Sequence, residues 1–291
     1  MVTAQQVKEL REMTGAGMMD CKKALVETDG NMEEAVKWLR EKGISKAAKK
    51  VSRIAAEGVC AFKIEGNKAV TYEVNSETDF VAKNPKFIEL VNKVGAALLA
   101  ANAKNDEEAL NATFEGVTVN DLIVEATATI GEKISLRRVE SYTKSDDQVF
   151  GGYSHMNGKI VTLAILNGNN ESVAKDVCMH VAAMSPKYLD RNAVDPAYIA
   201  SETEILRQEA LNEGKPEAIV DKMVIGRLQK SLKEVCLLDQ AFVKNPDQTV
   251  GEFVKSNNCS VVSFKRIAVG EGIEKRQDDF AAEVMAAAGL K

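Results

Sequence analysis

The spacing of apolar positions changes along the chain, and each change predicts a different kind of element. Val7, Leu10 and Met13 recur at i, i+3 and i+6, one face of a helix. Gly15 and Gly17 interrupt that spacing, and Met18 to Val26 resumes it. Asp20 stands early in this second helix, where a carboxylate suits the positive end. Asp29-Gly30-Asn31 reads as a turn. Asn31 is then placed to cap a third helix, with Glu33 and Glu34 in its first turn, an apolar stripe of Ala35, Trp38 and Leu39, and Gly43 as its expected end. The pattern predicts a three-helix bundle over residues 1–43 with a thin core, the kind of small module that docks on something else.

Residues 44–56 read as a linker helix in which Lys46, Lys49, Lys50 and Arg53 alternate with alanines. From Gly58 the period falls to two. Val59 to Ile64 is a strand, Glu65-Gly66-Asn67-Lys68 a turn, and Ala69 to Val74 the returning strand. Helices follow at Phe87 to Leu99 and Val119 to Thr129, then a strand at Ile134 to Tyr142. The same order recurs. Val149 to Met156 and Lys159 to Leu166 form strands around Asn157-Gly158, a strong hairpin signal. Val173 to Met184 and Thr249 to Asn257 are helical, and Ser260 to Val269 is a strand. Ser135-Leu136-Arg137-Arg138-Val139 echoes Ser263-Phe264-Lys265-Arg266-Ile267 at an offset of 128, and Thr118-Val119 and Thr249-Val250 each open a helix. The chain therefore reads as α+β, with a duplicated core of hairpin, helix, helix and strand. Core half one spans 57–144. Core half two spans 145–189 and 236–269, interrupted by an antiparallel helical hairpin at 190–235. Each arm of that hairpin would run about 27 Å at 1.5 Å per residue. Residues 270–291 read as loop followed by a helix with an alanine-rich apolar face.

Composition narrows the chemistry. With 291 residues, 45% apolar and 28% charged, the chain has the balance of a soluble globular protein, expected in the cytoplasm. The net charge of −5 argues against a generally basic nucleic-acid coat. Cys21, Cys60, Cys178, Cys236 and Cys259 form no C-x-x-C pair, and His155 and His180 are the only histidines. Gly15-Ala16-Gly17 and Gly270-Glu271-Gly272 do not extend into a phosphate-binding loop, and no nucleophile elbow occurs. No metal, cofactor or covalent catalysis is expected. The work of the chain is expected to reside in its surfaces.

Several stretches resemble a known family. Thr14-Gly15-Ala16-Gly17-Met18-Met19-Asp20-Cys21-Lys22-Lys23-Ala24-Leu25 resembles the N-terminal signature of the bacterial elongation factor Ts family, and Glu73 to Val81 resembles its second signature, centred on Thr78-Asp79-Phe80-Val81. Met179 to Ala183 and Asp279 to Val284 are similar to further family segments, so the resemblance covers essentially the whole chain. The N-terminal bundle resembles ubiquitin-associated domains. The resemblance implies a guanine-nucleotide exchange factor for elongation factor Tu, expelling GDP so that GTP can enter, with no covalent step. It implies that Asp79 and Phe80, flanked by Thr78 and Val81, form a wedge that disturbs the partner's Mg²⁺ site. It further implies that Met18 and Met19 dock the bundle on the partner, that Phe280 and Val284 grip a helix of the same domain, and that the His155 region holds another domain.

Each residue also has a plainer reading. Phe80 near a strand end fits the core equally well, Asp79 fits a cap, and His180 on an apolar helical face fits a satisfied core histidine. Adjacent Met18 and Met19 point about 100° apart on a helix, so at least one is expected at the surface. Two other function classes stand beside exchange: an RNA- or ribosome-binding accessory protein, on the basic 46–53 stretch, and a small-molecule enzyme, for which no carboxylate pairing appears.

Overall fold

The computed structural model describes residues 2–14 and 16–274. The expected C-terminal helix, with Phe280 and Val284, lies outside the described residues. Three helices open the chain: α1 (Ala4–Thr14), α2 (Met18–Glu27) and α3 (Met32–Ala48). The Asn31 side chain accepts the Glu33 and Glu34 amides at 3.1 and 3.2 Å, which is why α3 starts where it does. Leu10, Cys21, Ala24, Leu25 and Ala35 make the small shared core.

The first core half contains β1 (Glu57–Glu65), β2 (Lys68–Ser76), α4 (Asp79–Ala82), α5 (Pro85–Ala101), α6 (Asp106–Asn111), β3 (Thr113–Phe114), β4 (Val117–Thr118), α7 (Val119–Ile130) and β5 (Ser135–Thr143). Its sheet has the order β1-β2-β5. Val70, Tyr72 and Val74 alternate along one face of β2 and pack on Phe87, Val91, Val94 and Leu98 of α5 and on Val119 and Ile123 of α7. Gly95 allows the closest approach: a Cβ there would fall 2.1 Å from the Tyr72 hydroxyl, which instead donates to the Val91 carbonyl at 2.9 Å.

The polar face of β2 is buried as well. Thr71, Glu73 and Asn75 are fully buried. Residues 268–271 supply partners on that face: the Gly270 amide donates to Glu73 at 2.7 Å, and Arg138 reaches both the Ala268 carbonyl and the Glu271 carboxylate. The Nε atoms of Arg137 and Arg138 lie 3.2 and 2.7 Å from the same Glu73 oxygen. Consecutive strand residues normally face opposite ways. Arg138 has φ +56°, a left-handed conformation that breaks the alternation and lets both guanidinium groups serve one carboxylate.

Gly43 does not end α3, which continues to Ala48. The absent side chain is used for packing: a Cβ at Gly43 would lie 3.2 Å from the Ala128 Cβ of α7. This contact holds a helical glycine that intrinsic propensity disfavours by about 1 kcal/mol relative to alanine. The first five of the thirteen residues of the expected linker, 44–48, are thus the end of a docked helix.

The second core half contains β6 (Gln148–His155), β7 (Ile160–Asn167) and α8 (Glu171–Met184), then, after the inserted hairpin of α9 (Pro196–Asn212) and α10 (Glu217–Val235), β8 (Ala241–Phe242), β9 (Asn245–Thr249), α11 (Val250–Ser256) and β10 (Ser260–Ala268). Strands β6 and β7 pair antiparallel from Gln148↔Asn167 to His155↔Ile160, in a sheet of order β10-β7-β6. The turn is longer than Asn157-Gly158 alone, because Met156, Asn157 and Gly158 all take positive φ. Val149, Ala164, Leu166, Val177, Cys178, Val181, Val250 and Val254 belong to its core.

In both halves the second strand is central and the last strand pairs with it. Thr118 and Thr249 cap α7 and α11 alike, accepting the amides of Asp121 and Glu252 at 3.0 and 3.1 Å. Two-residue and five-residue strands precede those caps as small hairpins, too short for a periodic signal. By its internal contacts the chain divides into two units: residues 1–63, 70–141 and 268–291, and residues 64–69 and 142–267.

Candidate functional site

The two halves differ at one place that brings an aromatic side chain to the surface. After β7, three residues lead directly into α8. After β2 the chain instead makes the extra turn α4 before Asn84 caps α5. Thr78, not Asp79, is the N-cap of α4, its hydroxyl accepting the Val81 amide at 3.4 Å. Ala82 is buried, and Val81 packs against the first core. Phe80 is left outward and is 81% exposed, so its core reading does not hold.

Exposing a phenylalanine forgoes about 1.5–3 kcal/mol of burial. Local polar bonds hold the turn in place. The Glu132 carboxylate accepts both the amide and the hydroxyl of Thr78, at 2.9 and 2.7 Å. In return, Glu77 accepts the Lys133 amide at 2.6 Å. Arg53 lies 3.3 Å from Glu77, and the Lys133 ammonium donates to the carbonyls of Val51 and Arg53 at 2.7 and 2.8 Å. Ser76 closes the turn from behind, donating to the Thr78 carbonyl at 2.9 Å. Asp79 pairs with Lys83 at 2.7 Å across one helical turn. Exposed pairs of that spacing stabilise by only about 0.3–0.5 kcal/mol, so this one is readily broken.

Met18 and Met19 begin α2 and are both exposed, at 56% and 75%. Met13 at the end of α1 joins them. Thioether side chains make adaptable apolar surface. Met18, Met19 and Phe80 belong to the first unit. His155 belongs to the second, exposed at the end of β6 with the Tyr153 hydroxyl 3.2 Å from its Nδ1.

His180 is a core residue. It is fully buried, with Nε2 2.8 Å from the Gln240 side-chain oxygen and Nδ1 accepting the Val243 amide at 3.2 Å. These partners fix the neutral tautomer with the proton on Nε2. Burial holds its pKa below the ordinary histidine value, the Gln240 bond opposing. All five cysteines are buried and reduced, and burial pushes the Cys60 and Cys178 thiols up to about 12. Neither is a thiolate at neutral pH.

A groove of about 450 Å³ lies between α2, α3 and α7, lined in part by Met13, Trp38, Ile44 and Val117. Both of its aspartates are engaged: Asp20 with Lys46 at 2.8 Å and Asp121 with Arg40 at 3.1 Å. Among the described residues, no group of three His, Cys, Asp or Glu side chains could hold a metal ion. No helix among them is long and apolar enough to cross a membrane. Glu132 and Lys133 were not singled out by sequence reasoning, and Arg53 and Glu77 were read only as part of a basic linker and of the Glu73–Val81 signature. Their positions, 53, 77 and 132–133, share no local pattern.

Comparison with known families gives two matches. The sequence model described as elongation factor TS matches residues 77–271, beginning one residue before Thr78 and spanning about two thirds of the chain. The one described as the UBA/TS-N domain matches residues 2–39, the three-helix bundle short of the end of α3.

Proposed function

The chain belongs to the elongation factor TS family of translation factors, and from that premise we propose that it binds GDP-bound elongation factor Tu and accelerates GDP release. The observation that carries this reading is Phe80, 81% exposed on a single helical turn that only one core half possesses. A rigid aromatic side chain presented to solvent is a typical interface anchor. Asp79 beside it offers a carboxylate to amides or side chains that would otherwise support the partner's metal. Mg²⁺ tolerates little distortion of its octahedral shell at about 2.0–2.1 Å, so a small displacement of its supports weakens it. The phosphates then lose neutralising charge, and release quickens. Met18, Met19, His155, Phe280 and Val284 are proposed as the remaining contacts with the partner. The nucleotide and the metal both belong to that partner, and the chain contributes no covalent chemistry.

The RNA-binding alternative loses support from the charges themselves. Lys46 pairs with Asp20, Arg53 with Glu77, and Lys50 donates to the Thr127 carbonyl at 3.4 Å. A phosphate-binding surface needs basic charge in excess of such internal partners.

Exchange of this kind is a negative coupling, reciprocal by linkage: the factor weakens nucleotide binding and the nucleotide weakens factor binding. Purified chain and elongation factor Tu should therefore associate more tightly when GDP and Mg²⁺ are removed. Equal retention with and without GDP and Mg²⁺ would contradict the proposal.

A further inference from the structure

We propose that Glu132 is a positioning residue for exchange, fixing the α4 turn at the angle from which Phe80 acts; this rests on the exchange reading above. The loop after β2 and the loop between α7 and β5 each present a carboxylate to the other's backbone. Glu132 takes the amide and hydroxyl of Thr78, and Glu77 takes the amide of Lys133. Two loops that exchange donors in both directions are fixed in translation and in rotation, which a single bond would not achieve. Charged acceptors make the stronger class of hydrogen bond. The knot also includes the end of the chain's N-terminal region, through Arg53 on Glu77 and through Lys133 on the carbonyls of Val51 and Arg53.

The need for such a clamp follows from the turn itself. A helix of four residues does not hold its shape unaided, since nucleation costs more than one turn of bonds returns. Val81 and Ala82 are the residues by which α4 packs on the core. A side chain as exposed as Phe80 gains nothing from packing that would fix its direction. Glu132 stands one residue after Gly131, the left-handed C-cap of α7 at φ +93°, so its loop leaves a rigid helix end. The duplicated half has neither part of the device: Ser260 stands at the offset of 128 from Glu132, and the β7–α8 connection has no extra turn. Clamp and turn occur together in one half and are absent together from the other.

A positioning role separates rate from grip. Phe80, Asp79, Met18 and Met19 remain in Glu132→Gln, so the concentration of factor giving half-maximal release should change less than twofold. The saturating rate should fall about tenfold, equivalent to the loss of one charge-assisted bond at the turn. Stopped-flow release of fluorescent GDP from elongation factor Tu, titrated with full-length chain, reads both quantities. Amide hydrogen exchange gives a readout independent of activity: the Thr78 amide should exchange faster in Glu132→Gln, while the amides of the α5 interior stay protected. An unchanged saturating rate in Glu132→Gln, with Phe80→Ala slowed, would overturn the inference and leave the exchange reading standing. Failure of the wild-type chain to accelerate release would instead overturn the exchange reading.

Discussion

Phe80 is exposed because its neighbours occupy the positions that face inward. With Val81 and Ala82 turned to the core and Thr78 held by Glu132, the fold leaves the ring no apolar pocket. Truncation should therefore be nearly silent for folding. Phe80→Ala should shift stability by less than about 0.5 kcal/mol. It should lower the saturating GDP release rate about tenfold or more, with complex formation weakened less. Unchanged release at saturating factor would remove Phe80 from the mechanism. His180 makes the opposite kind of contribution. Its folded pKa is depressed by burial, so the fold holds it neutral while the unfolded chain protonates near pH 6.5. Its contribution is complete above that value and is lost as pH falls below it, by at most about 1.4 kcal/mol per pH unit. Urea denaturation at pH 7.5, 6.5 and 5.5 should show that loss, and His180→Gln should flatten it. The sequence could not decide either residue. An apolar side chain at a strand end and a histidine on an apolar face each have two readings, and only burial separates them.

Elements were more legible than residues where they were long. Helix α5, helix α8 and the β6–β7 hairpin carry enough periodic positions for their faces to be read directly. The hairpin of α9 and α10 was legible for the same reason, and its arms run antiparallel. Tyr198 and Ile199 at the start of α9 meet Leu228 and Leu232 near the end of α10, while Leu206 and Ala210 meet Val220 and Val224. That seam is thin, and Ile205, Ile219 and Ile225 remain exposed. Apolar residues left on a self-packed hairpin suit an accessory contact. Replacing residues 200–231 by a short flexible link should preserve the α+β core of its unit by circular dichroism. It should also weaken binding to elongation factor Tu. A shortened chain that kept both affinity and exchange would exclude that contact. The end of α3 was not legible. Glycine is the commonest helix stop, and nothing local in the sequence shows that Ala128, 85 positions later, needs the space at Gly43.

At the scale of the molecule, the buried charge of Glu73 ties residues 268–271 to the sheet of the first half. Arg137, Arg138, Asn75 and the Gly270 amide all converge on it. Breaking a buried pair leaves the remaining charges uncompensated, which costs about 3–5 kcal/mol. Glu73→Gln should therefore lower the unfolding midpoint sharply in thermal or urea denaturation. A loss below 1 kcal/mol would mean that solvent, not the carboxylate, satisfies the two arginines. This cluster joins positions 73, 137–138 and 268–271 and has no signature along the chain. The sequence by itself determined the longer elements among the described residues, their order, the duplication and the family, because periodicity, caps and short motifs are local properties. Tertiary structure alone decided which polar face is buried, that α3 packs through its glycine, and that a reciprocal carboxylate clamp holds Phe80 outward. Those outcomes depend on contacts between residues far apart in the chain, whose energies exist only once the backbone has brought them together.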